Sequence, residues 1–150
     1  VDLSMRILEQ GFDTQLIREA YVYHKRRTSL RQFFKQVYNS GIARINLHKR
    51  HPGTLKLVHT APAVFTLGVV MLILLSILVS AYFLLLVLLH IFLLFLSASV
   101  KNRNLSIGLL AVVTSYTQLF GYGTGFLNAF WKRMILGRDE VSAFNKNFYK

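Results

Sequence analysis

Residues 57–100, 44 in a row, contain no Asp, Glu, Lys or Arg. So long an uncharged apolar run reads as membrane-spanning, and a spanning helix needs only about 20 such residues at about 1.5 Å of rise each. As one helix the run would measure about 66 Å, twice the thickness of a hydrocarbon core. It therefore has to fold back, and two helices are expected near 60–79 and 82–100, turning around Ser80-Ala81-Tyr82. Pro62 suits the start of the first, where a missing N–H is harmless. A second uncharged block covers 104–131, and from Leu105 to about Phe130 it is long enough for a third crossing.

The composition agrees with a basic membrane protein. The chain has 150 residues, 53% of them hydrophobic, and a formal charge of +12. That excludes a soluble domain with a mixed-sign surface, and the apolar content excludes a disordered basic tail. There is no Cys, so no disulfide framework, thiolate metal site or thiol nucleophile exists. Eleven of the 18 Lys and Arg precede the first uncharged run, Lys101 and Arg103 lie between the two runs, and five follow the second. Basic residues flanking spans mark the cytoplasmic face, which places the head 1–57 there. A hairpin returning Lys101 and Arg103 to that face agrees with this rule. A third crossing would export the five basic residues of the tail, which does not. Either the rule yields here, or the last block bends back at Gly121-Tyr122-Gly123-Thr124-Gly125; three crossings are the expectation.

Gly121, Gly123 and Gly125 lack the strand and spacing of a dinucleotide-binding loop and read as small residues for close helix packing. His90, alone in an apolar helix with no intramembrane acid beside it, reads as a packing residue. Ser115, Tyr116, Thr117 and Gln118 form a polar cluster that could face a lipid-linked ligand or bond a neighbouring helix.

In the head, Asp2 to Gly11 reads as a helix with Asp2 as N-cap, Leu3, Ile7 and Leu8 on one side, and Gly11 as the stop. The chain opens inside that pattern without Met, so further sequence upstream is expected. Phe12–Ile17 and Ala20–His24 are rich in β-branched and aromatic residues and predict short strands. Ser29 and Gln32 have capping-box spacing. They open an amphipathic helix with Leu30, Phe33, Phe34, Val37, Tyr38, Gly41, Ile42 and Ile45 on one face and Arg31, Gln32, Lys35, Gln36 and Asn39 on the other. Such a helix before a membrane hairpin lies in the headgroup layer, attracted by anionic lipid. Its aromatics sit on the apolar face and are not interleaved as base-stacking platforms, so nucleic acid is not an expected partner. No carboxylate lies between Glu19 and Asp139, and no metal-binding His pair stands out: His48 and His51 are followed by a Pro-Gly turn. By itself the chain is expected to catalyse nothing.

The head resembles a known family. Asp2-Leu3-Ser4-x-Arg6-Ile7, Gly11-Phe12, Tyr21-Val22-Tyr23-His24-x-x-Arg27-x-Ser29-Leu30, Gln36 and Gly41-x-x-Arg44 are similar to the end of the catalytic domain in membrane-bound family 2 glycosyltransferases. The likeness covers 1–50, and extends loosely to Tyr122-Gly123-x-Gly125-Phe126-Leu127, similar to the last hydrophobic segment of polysaccharide-assembling members. It implies a Glu-Asp pair, with the catalytic base, immediately upstream of Val1 or Asp2. It implies that His24 is a ligand of the divalent metal, Mn or Mg, that Arg26 or Arg27 pairs with the donor diphosphate, and that Ser29, Gln36 and Arg44 lie on the interfacial or acceptor side. Guanidinium forks suit diphosphate oxygens, and a departing diphosphate calls for a cation. Gln36-Val37-Tyr38-Asn39-Ser40 lacks the Gln-x-x-Arg-Trp of the processive cellulose and hyaluronan synthases, which argues against a processive polymerase.

The expected fold is therefore mostly α and membrane-embedded. The remnant of an α/β nucleotide-sugar domain (1–27) leads into an interfacial helix and turn (28–57), about three transmembrane helices (58–131) and a basic tail (132–150). The expected function is inverting transfer from a nucleotide-sugar donor to a lipid-linked or saccharide acceptor in surface polysaccharide synthesis. The rival is a non-enzymatic basic anchor or subunit binding anionic lipid or a protein. Upstream sequence in the same frame separates them: an Asp-x-Asp motif and a terminal Glu-Asp pair favour the enzyme, a stop just before Met5 the anchor.

Overall fold

A computed structural model describes residues 2–23 and 29–140. Their regular structure is entirely helical: α1 (Asp2–Glu9), α2 (Leu30–Arg50), α3 (Ala61–Leu78), α4 (Tyr82–Asn102) and α5 (Leu105–Phe130). A 3-10 turn, Leu57–His59, precedes α3, and a π turn, Trp131–Ile135, prolongs α5. Three helices, α3, α4 and α5 with its π extension, are long and apolar enough to cross a membrane.

Local chemistry sets the ends. The Ser29 hydroxyl accepts the Gln32 N–H at 3.3 Å and opens α2, satisfying one of the donors that a first helical turn leaves over. Asn104 caps α5 by accepting the N–H groups of Ser106 and Ile107 at 2.9 and 3.3 Å. Pro62 sits in the first turn of α3. Gly11, at φ +81°, ends the segment after α1, and Gly53, at φ +88°, forms the turn after α2. Asp2 lies within the first turn of α1, one position beyond the capping role expected of it.

The strands expected at Phe12–Ile17 and Ala20–His24 are corrected here: residues 12–23 form no strand among the described residues, and no α/β domain is present there. His24 itself lies outside the described residues. Enrichment in β-branched and aromatic residues reports fitness for a half-buried pleated surface, not an autonomous strand. No such surface is offered here, since Leu16, Val22 and Tyr23 are 88, 87 and 95% exposed.

The best-packed part of the molecule is not the apolar hairpin but the seam between α2 and α5. Ile42 and Ile45 of α2, Ala63 of α3, and Phe126 and Ala129 of α5 form one buried cluster, flanked by Tyr38, Leu55, Tyr122 and Leu127. The apolar face of α2 is thus covered by protein at its centre; Leu30 and Phe34 at its N-terminal end are 46 and 40% exposed. By contrast, α4 buries only Val87 and Ser99. Much of its apolar surface is open, as for a helix whose solvent is lipid.

Candidate functional site

The junction of head and membrane region gathers most polar side chains that have a long-range partner. Its first part fastens α1. Asp2 and Glu9 lie two turns apart on one face of α1 and grip His51, the residue that terminates α2. His51 Nε2 is 3.0 Å from Asp2 Oδ1, and His51 Nδ1 is 2.7 Å from Glu9 Oε1. Asp2 Oδ2 also accepts from Arg50 at 3.0 Å and lies 3.4 Å from Arg6. The other arm of the Arg50 guanidinium pairs with Glu140.

Two carboxylates on the two ring nitrogens favour the imidazolium, in which both nitrogens donate. The His51 pKa is accordingly raised above the usual 6.5, first by the hydrogen bond to Asp2 and then by that to Glu9. Asp2 is held below the usual 3.8, chiefly by the hydrogen bond from His51 and further by Arg50 and Arg6, with burial opposing. No residue of α1 is buried, so charge and not apolar packing anchors this helix.

The second part is the α2–α5 seam. A side chain on Gly125 would meet the Tyr38 carbonyl, and one on Gly41 would meet the backbone of Tyr122 and, at 2.7 Å, the Phe126 nitrogen. Backbones in such contact leave no room for a Cβ, which is why glycine stands at these two positions. Gly121 lies instead chiefly against the side chains of Val37 and Phe34. Gly123 points to the other side, against Pro62 and Thr66 of α3. The glycines read from sequence as packing residues are therefore packing residues, divided between two partners. Polar bonds lock the same seam: Asn128 donates to the Tyr38 hydroxyl at 2.7 Å, Arg133 to Asn46 Oδ1 at 2.9 Å, and Lys49 to the Arg133 carbonyl at 3.3 Å.

Of the residues singled out from sequence, His24, Arg26 and Arg27 lie outside the described residues. Ser29 serves as the N-cap of α2. The Gln36 carbonyl, within α2, accepts from the Ser40 hydroxyl at 3.0 Å. Arg44 faces the Tyr122 hydroxyl and also acts on His59. The His59 pKa is lowered, first by loss of water around it and then by the charges of Arg44 and Lys56. The three residues are not brought into one site: Ser29 is at the far end of a 21-residue helix from Arg50, with Arg44 near that other end. Among the described residues no group of three His, Cys, Asp or Glu is placed to hold a metal ion.

Deeper in the apolar region, His90 Nδ1 is 2.9 Å from the Tyr116 hydroxyl, and Phe65 packs on both rings. Tyr116, one of the polar cluster on α5, thus bonds a neighbouring helix, while Thr117 turns back to the Val113 carbonyl. Between α4 and α5 runs an apolar groove of about 500 Å³ that includes Leu88, Phe92, Phe95 and Val112.

Sequence reading missed the Asp2–Glu9–His51 group and the Asn46–Arg133 pair. The only available signals were the seven-residue spacing of the two acids on one helix face and a polar Asn46 beside an apolar stripe. No protein-family model matches the chain, nor does any curated protein or solved structure.

Proposed function

We propose that this chain is the membrane end of an inverting glycosyltransferase, which transfers a sugar from a nucleotide-sugar donor to a membrane-associated acceptor in surface polysaccharide synthesis. The reading rests on the motif resemblance of residues 1–50, and one structural observation supports it most. The helix that would directly follow the catalytic base, α1, is fastened through Asp2 and Glu9 to His51 and Arg50, beside the seam with α5. A reacting centre just upstream of Asp2 would be held at a fixed distance from the membrane, as a lipid-linked acceptor requires. In this reading His24 contributes to holding a divalent metal and Arg26 or Arg27 meets the donor diphosphate. Arg44, beside Tyr122 and His59, lies on the acceptor side.

The test is manganese-dependent binding of a panel of nucleotide sugars to the protein extended upstream through its native frame, with His24→Ala as control. Binding lost without metal and lost in His24→Ala is the expected result, and the panel then names the donor. No binding to a folded, detergent-solubilised protein would favour a non-enzymatic anchor that binds anionic lipid. That second reading draws support from Arg31 and Lys35, both exposed beside the exposed Leu30 and Phe34.

A further inference from the structure

We infer that the chain crosses the membrane twice, through α4 and α5, that its basic tail returns to the face of the basic head, and that α3 lies along the head-side leaflet without crossing. The inference is independent of the proposed enzymatic activity.

The seam holds α2 and α5 side by side in parallel: Phe34 and Val37 lie at Gly121, Tyr38 at Gly125, Gly41 at Tyr122 and Phe126, and Asn46 and Lys49 at Arg133. The end of α5 and the residues after it therefore touch the head directly, through Arg133 and Glu140. Head and tail can meet in this way only on one face of the bilayer. Three crossings would put them on opposite faces, so an even number of helices crosses.

The pair that crosses is α4 and α5. α4 and α5 lie antiparallel, joined by the tight turn at Arg103, with Ser99 against Gly108 and His90 bonded to Tyr116. They cross together or not at all. Eight residues back from His90 is the start of α4, and eight residues on from Tyr116 is Thr124, so Tyr82 stands at about the level of Thr124. The start of α3 is at the same level, with Pro62 and Thr66 against Gly123 and the Thr66 hydroxyl 3.4 Å from the Leu119 carbonyl. Its end, Leu78, is separated from Tyr82 only by Val79, Ser80 and Ala81. Both ends of α3 thus stand at the head-side level of the hairpin, which a crossing helix cannot do.

Length and charge agree with two crossings. From Leu105 to Ile135 there are 31 helical residues, about 46 Å, where about 20 residues suffice to cross. The surplus, about 11 residues from Gly125 onward, packs on α2 from Tyr38 to Lys49, where the exposed Lys49 and Arg50 cannot lie in hydrocarbon. Lys132 and Arg133 then emerge beside the head, and among the described residues only Lys101 and Arg103 face the opposite side, which reconciles the tail with the positive-inside rule. The exposed Leu67, Val70 and Leu74 of α3 face the acyl chains of the head-side leaflet, next to the basic α2.

The natural chain has no Cys, so single-cysteine labelling reads this directly. Arg31→Cys, Ser80→Cys, Asn102→Cys and Asp139→Cys, each in the whole chain, are blocked with a membrane-impermeant maleimide in inverted and in right-side-out vesicles. The expected pattern is blocking of Arg31→Cys, Ser80→Cys and Asp139→Cys from the same face, and of Asn102→Cys from the other. Any other pattern overturns the inference; in particular, Ser80→Cys and Asp139→Cys blocked from the face opposite Arg31→Cys would establish three crossings.

Discussion

At the residue scale, His51 carries the most consequence. Its contacts are ionic, so docking of α1 depends on pH in a direction that can be stated. A histidine whose folded pKa is raised adds stability that is complete below 6.5 and lost as pH rises through the raised value. An aspartate whose folded pKa is lowered adds stability that is complete above 3.8 and lost as pH falls through the lowered value. Protection of the α1 amides from hydrogen exchange, corrected for intrinsic rates, should be greatest between pH 3.8 and 6.5 and fall as the His51 imidazolium loses its proton. His51→Gln should remove that alkaline fall, leaving a lower, flat profile there. Equal protection on the two sides of the His51 titration, followed by NMR of its ring protons in the natural chain, would show that the imidazolium does not hold α1. The seven-residue spacing of Asp2 and Glu9 put both acids on one helix face but named no partner: Asp2 and His51 are 49 positions apart, and a single long-range ionic pair leaves no periodic trace.

At the element scale, the glycines separate the packed seam from open surface. Gly125→Ala would drive a methyl into the Tyr38 carbonyl, and Gly41→Ala one into the Tyr122 and Phe126 backbone. Rigid main chain cannot give way as a side chain can. Each substitution should cost about 1–3 kcal/mol by overpacking and part α2 from α5, read as a lower unfolding midpoint in detergent. Gly68→Ala meets nothing within 4 Å and should be neutral or stabilising, by up to about 1 kcal/mol from helix propensity. Tyr116→Phe, which removes the bond to His90, should cost about 0.6 kcal/mol, the mean for such bonds between membrane helices. At this scale much was legible. Runs of apolar residues bounded by Pro62, Asn104 and charge put the three apolar helices within two residues of their observed ends, because length and hydropathy are local properties. The partner of each helix was not legible. The apolar stripe of α2 fits lipid and fits α5 equally well, and only the glycines at its contact points distinguish the two.

At the scale of the whole molecule, the distribution of charge and the contacts of the seam have to be satisfied by one arrangement. With three crossings, the α2 cations that travel with the end of α5 would enter hydrocarbon or the seam would open, and each Lys or Arg at the middle of a span costs about 2.5–3.5 kcal/mol. Charge counting alone left the tail in conflict, since it weighs segments one at a time and takes no account of which of them touch. The contact between Asn46 and Arg133, at 2.9 Å across 87 positions, supplies what it lacks. A double-mutant cycle with Asn46→Ala and Arg133→Ala, followed by unfolding in bilayer vesicles, measures it in the native arrangement. With head and tail on one face, the pair should show a coupling of about 0.5–3 kcal/mol, the range for residues in direct contact. The pair Asn46→Ala with Arg103→Ala, at the opposite end of the hairpin, should be additive within about 0.5 kcal/mol. If the tail lay across the membrane from the head, the first cycle would be as additive as the second, because charges on opposite faces of a bilayer share no contact to lose.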